Sequence, residues 1–135
     1  MSNKQVDILG FDAVAECEQA IPVPMKGIDG EATGAVFLVI GKHADAVTGW
    51  QRKLFNSMQR EAEMAKKRGR EPEPKSLDEL KETNIEGAMT RVIGWQNIKQ
   101  EFSKELLKTV LTRNPHFVEQ IVEASDDLGN FTKPN

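Results

Sequence analysis

Two histidines, one cysteine and scattered carboxylates are the residues from which this chain could build a reactive centre. His43 and His116 lie far apart, and neither stands in a ligand spacing such as H-x-x-x-H. Cys17 alone cannot make a thiolate zinc site, which draws on two to four cysteines. Glu123, Asp126 and Asp127 cluster, but a carboxylate pair needs a pocket that raises one pKa before it can do acid–base work. A helix end beside Gly129 is a wet place, so these acids read as solvated. "GIDGEATG" has glycines without G-x-G-x-x-G and without a following Lys-Ser/Thr, so it reads as a turn and not a phosphate cradle. G-x-S-x-G does not occur. The expectation is a protein that is not an enzyme, with no metal and no cofactor.

The basic run "KKRGR", Lys66 to Arg70, is the remaining charged feature, and acidic "EPEP" follows it at once. A nucleic-acid patch adds aromatics or a second basic segment. Here the cations suit the negative end of a helix dipole. The net charge of −3 gives no overall attraction to phosphate.

These residues must be positioned by a chain of 135 residues, 39% hydrophobic and 29% charged, which predicts a single domain over 1–135 with a core that needs no disulfide. One cysteine fits a reducing compartment, and the longest apolar run, "AVFLVI", is too short for a bilayer span. A soluble, intracellular protein without membrane partners is expected.

The fold expected is α+β: a small N-terminal β-hairpin or antiparallel sheet packed with about four α-helices. "GFDAVAECEQA" can hold a short helix. "IPVPM" carries two prolines and fits an edge strand. Asp-Gly in "KGIDGEATG" marks a hairpin turn, and "AVFLVIG" is the strongest strand. Asp45 can cap a helix to about Arg68, stopped by Gly69, with Val47, Trp50, Leu54, Met58 and Ala62 on one stripe. Residues 69–76 read as an exposed loop. "SLDE" at Ser76 is a capping box opening a helix with Leu80, Ile85, Met89, Val92 and Ile93, ended by Gly94. "WQNIKQEF" reads as a connection. Ser103 starts a short helix, and Asn114-Pro115 starts the last one.

Two places hold more apolar surface than their surroundings explain. The connection carries Trp95, Ile98 and Phe102, and the end of the chain carries Leu128 and Phe131. Ordering residues 128–133 costs about 1–2 kcal/mol each. Burying Phe131 and Leu128 returns about 1.5–3 kcal/mol apiece. Either the tail stays loose or it docks on something larger than its own helix; residues 128–135 are expected to be a flexible tail.

The series "RVIGWQNI" followed by "FSKELLKTVLTRNPHFVEQIVEASDDLGNF" resembles the tail assembly chaperones of long-tailed bacteriophages. The matching positions are Trp95, Phe102, Ser103, Leu107, Asn114, Pro115, Ile121 and Phe131, and "GEATGAVFLVIG" with the charged helix after it also fits. The resemblance spans roughly residues 20 to 131 and includes no catalytic signature. It implies a non-enzymatic protein of the host cytoplasm that coats the tape-measure protein, keeps it soluble, and recruits tail-tube protein, in some cases through a frameshifted longer product. It implies self-association into a homo-oligomer and absence from the mature virion. The residues expected to bind partners or a second copy are Trp95, Ile98, Phe102, Phe117, Ile121 and Phe131. The rival readings are a structural or head–tail joining virion protein and a nucleic-acid-binding regulator acting through Lys66 to Arg70.

Overall fold

The computed structural model describes residues 5–132 and has the α+β architecture. Strands β1 (Ile21–Lys26), β2 (Ala32–Val39) and β3 (Val92–Gln96) form one antiparallel sheet in the order β1-β2-β3. The helices are α1 (Ala13–Cys17), α2 (Asp45–Lys67), α3 (Leu77–Arg91), α4 (Lys104–Arg113) and α5 (Pro115–Asp126). Short 3-10 turns stand at Ile8–Gly10 and Leu128–Phe131. No helix among the described residues is long and apolar enough to cross a membrane.

The hairpin forms as its residues dictate. The Gly27 carbonyl accepts from Gly30 N–H at 3.0 Å, and Gly30 takes φ +80°, which costs a glycine little. Pro22 and Pro24 lie on β1, an edge strand where a missing donor does no harm. The register shifts between Pro24, which faces Val36, and Lys26, which faces Ala32, and Lys26 also turns its backbone toward α5. There the Gln120 side-chain amide of α5 accepts from Lys26 N–H at 2.7 Å and donates to the Lys26 carbonyl at 2.9 Å, tying the edge strand to the helix.

β3 corrects the sequence reading. Val92 and Ile93 were expected to continue α3 up to Gly94; the helix ends at Arg91, and Val92–Gln96 pairs with β2, Phe37 facing Trp95 and Val39 facing Val92. β-Branched and aromatic residues suit this strand, and β2 offers a second edge for it to fill. The Lys104 ammonium covers carbonyls at the helix end, donating to Met89 O at 2.6 Å, which also accepts the Val92 N–H, and to Val92 O at 2.7 Å.

Caps set the other boundaries. α2 ends in a Schellman arrangement: Arg70 N–H donates to Ala65 O, Gly69 N–H to Lys66 O, and Gly69 has φ +70°. Ser76 and Ser103 accept from Glu79 N–H and Leu106 N–H, each at 3.1 Å. Asp45 is not the cap of α2 but its first residue; the Glu18 carboxylate, from the end of α1, accepts its N–H at 2.7 Å. Asn114 precedes Pro115 as expected, but its side chain donates backwards to Val110 O at 2.8 Å, closing α4 and leaving α5 uncapped.

The main core joins one sheet face to α3, α4 and α5 through Met25, Phe37, Val39, Ala88, Val92, Leu107, Leu111, Phe117 and Ile121. A second cluster contains Cys17, Ile40, Ala44, Val47 and Phe131. There the tail reading needs correction, because residues 128–131 are an ordered turn and Phe131 is buried. Asp127 accepts from Gly129 N–H, and Asn130 Nδ2 donates to Ala124 O at 3.0 Å. These bonds order the backbone, and the ring enters a site already walled by α1, the end of β2 and the start of α2. Leu128 stays 37% exposed, so the ring supplies the larger part of the burial. Residues 133–135 of the expected flexible tail lie outside the described residues. The 69–76 segment is an exposed loop.

Phe131→Ala is expected to lower stability by about 3 kcal/mol in urea titration, as for other buried Phe truncations. A loss below about 0.5 kcal/mol, within the range of ordinary surface changes, would mean that the ring contributes no docking.

Candidate interaction surface

Aromatic stacking organises the connection after β3. Register places Trp95 beside Phe37, with ring centroids 6.0 Å apart and planes at 28°. Phe117 meets Phe37 edge-on at 6.0 Å, and Phe102 meets Trp95 edge-on at 5.1 Å. Both distances fall where aromatic pairs attract. The indole N–H donates to Gln100 O at 2.8 Å and folds the loop round the ring. Asn97 turns that loop with φ +58°, and its Nδ2 donates to Gly34 O at 2.7 Å. Between loop and helices lies an apolar hollow of about 230 Å³, walled by Ala35, Trp95, Ile98, Leu106 and Val110, with Phe37 and Phe117 also lining it.

The six residues expected to bind partners divide. Trp95, Ile98 and Phe102 are partly buried and border the surface. Phe117, Ile121 and Phe131 are buried and are corrected to core residues. Phe117 and Ile121 carry the helical spacing of α5, which records an apolar face without saying what covers it; the sheet covers this one.

Sequence reasoning missed two exposed apolar sets. On α2 the stripe beginning at Val47 is covered at Trp50 and Leu54 but runs on uncovered, leaving Phe55 and Met58 more than half exposed. At the start of α3, Leu77 and Leu80 are also open. Trp50 packs close to α3, its ring filling the place where a side chain at Gly87 would stand. The distal half of α2, the loop and the first turns of α3 thus form an arm. Its loop is held by Lys75, 3.3 Å from Glu61. The second set lies in the N-terminal segment, where Val6, Ile8, Leu9 and Phe11 are at least 69% exposed.

Arg91 is the buried cation that the sequence did not single out. It lines a cleft of about 450 Å³ with Trp50, Asn84, Val118 and Glu123. Its Nη1 donates to Gly87 O at 2.8 Å, and its guanidinium carbon lies 6.0 Å from the Trp50 ring centre. Burial lowers its pKa, partly offset by Asp126. A guanidinium still keeps its proton. His43 and His116 sit on different elements, the latter with its ring 4.6 Å from Phe117. Among the described residues no three His, Cys, Asp or Glu side chains come together to hold a metal ion.

Comparison with family models, curated proteins and solved structures gives no match. The surfaces just described therefore stand as the basis for a functional reading: the partly open Trp95 on β3 with Ile98 and Phe102 in the loop after it, and exposed apolar side chains on an arm and a terminal segment.

The loop holding Ile98 depends on the left-handed Asn97. Asn97→Ala should cost about 1–2 kcal/mol, combining the left-handed penalty with a lost hydrogen bond. Asn97→Gly should cost less, since only the hydrogen bond goes. Thermal melts of the two variants check the order, and equal losses would place the whole effect in the bond to Gly34.

Proposed function

We propose that this chain is a bacteriophage tail assembly chaperone, a non-enzymatic protein that binds the tape-measure protein, keeps it soluble and helps bring tail-tube subunits to it. The observation that carries the reading is the exposure of large apolar side chains on ordered structure, above all Phe55, Met58, Leu77 and Leu80 on the arm. Scattered single apolar residues need no explanation, but a helical surface with several in register is suited to a partner. A long helical client offers matching stripes along its length, which many copies of a small protein can cover.

The resemblance carried by Trp95, Phe102, Ser103, Leu107, Asn114 and Pro115 supports the same reading. Of the expected contact residues, Trp95, Ile98 and Phe102 remain available to a partner at the edge of the hollow. The buried Phe117 and Ile121 support them from beneath. In this reading the protein works in the host cytoplasm, associates with copies of itself and leaves before the particle is complete.

A tagged chain recovered from cells assembling phage tails should bring down one very long, helix-rich protein, with many copies of the chaperone to each client. Leu77→Asp, at an arm side chain that is 66% exposed, should reduce that recovery while leaving the thermal melt of the chain unchanged. An eluate holding only this chain would overturn the reading. Its presence as a stoichiometric band in purified particles would instead make it a structural virion protein.

A further inference from the structure

We infer that copies of this chain join head to tail, the N-terminal segment of one copy lying on the α2 stripe of the next. The two surfaces are complementary in both respects that matter. Each is apolar and open: Ile8, Leu9 and Phe11 on the segment, Phe55 and Met58 on the stripe. Their charges are opposite. Residues 4–18 carry Asp7, Asp12, Glu16 and Glu18 against one cation, Lys4. Between residues 50 and 70 the chain has seven Lys or Arg against Glu61 and Glu63, and Glu61 already faces Lys75.

The helical repeat puts the cations where the segment would need them. Arg52, Phe55, Gln59, Ala62 and Lys66 follow one another at spacings of three and four, so they share a face with Met58 beside it. Arg52 and Lys66 therefore stand at opposite ends of the apolar stretch. Asp7 and Asp12 flank Ile8, Leu9 and Phe11, so the segment too sets apolar side chains among charges of one sign. The segment also has its own shape: the Asp7 and Asp12 carboxylates accept from Leu9 N–H and Ala15 N–H, forming a turn that holds Leu9 and Phe11 outward.

Among the described residues the two surfaces are unpaired, since both are exposed. The segment leads into α1, anchored by Cys17 in the second core cluster, while the uncovered part of the stripe begins at Phe55, well inside α2. A contact between different patches on two copies is heterologous, so it propagates into an open row or closes into a ring. A row is the assembly a coat along a rod requires. The inference rests on the self-association part of the proposed function and not on the client, and its test uses the purified chain alone.

Sedimentation velocity across a concentration series should show the full chain rising from 15.1 kDa toward larger species. The double variants Leu9→Asp/Phe11→Asp and Phe55→Asp/Met58→Asp should each stay monomeric, because each loses one half of every junction. Mixed in equal amounts they should form a dimer and nothing larger, since one intact segment meets one intact stripe. Arg52→Glu/Lys66→Glu should weaken assembly about tenfold and reduce its salt dependence, the electrostatic share of the junction. A wild-type chain that stays monomeric, a double variant that assembles like wild type, or a mixture that stays monomeric would each overturn the inference. Failure to capture a client, with these results intact, would remove the proposed function and leave the junction standing.

Discussion

The packing of Phe37 is the constraint on which the rest of the structure depends. It lies on the central strand, buried, with Trp95 stacked on one side and Phe117 edge-on at another. That one ring joins β2 to β3 and to α5. The register that sets Phe37 beside Trp95 also orients the loop beyond β3, because the indole then reaches Gln100 O. The ordering of a surface loop is thus a consequence of a core contact. A shift of β3 by one residue would turn Trp95 to the opposite face, and the hollow beside Ile98 would lose its wall.

What was legible in the sequence was local. Gly69, Ser76 and Ser103 each act within a few residues of their own position, and each sets its helix boundary as their types require. The hairpin follows from Asp29-Gly30 and the apolar run after it for the same reason. Val92 and Ile93 were different. Both suit the end of a helix and the start of a strand, and the deciding partner, β2, lies some fifty residues earlier. Asn114 likewise has two helix ends in reach, and the sequence cannot say that its amide turns to Val110.

The candidate surface was legible only in part, because apolar periodicity does not reveal its partner. Ile121 and Met58 both belong to regular stripes, yet one is wholly enclosed and the other more than half open. The difference lies in what stands opposite. α5 faces the sheet and α3, whereas α2 outruns its neighbour: Trp50 packs on α3 at Gly87, and no buried residue of α2 lies beyond Val47. A helix of 23 residues is about 35 Å long at the usual rise, more than a core of this size can cover. Length, not composition, therefore left the distal stripe to solvent. Trp95, Ile98 and Phe102 fall between these extremes, roofing the core on one side and bordering water on the other.

The second cluster bears on how the protein is made. Its walls come from Cys17, Ile40, Ala44 and Val47, and its lid is Phe131. During vectorial synthesis those walls emerge early and must wait for more than eighty further residues before the ring that closes them exists. Until then the start of α2 has an open apolar socket at its base. The nascent chain carries this open socket until Phe131 emerges, and closure of the socket is a long-range event that local helix formation cannot hasten. In a cell producing many copies at once, the interval between emergence of the socket and arrival of the ring sets how long each chain is open to mispairing with its neighbours.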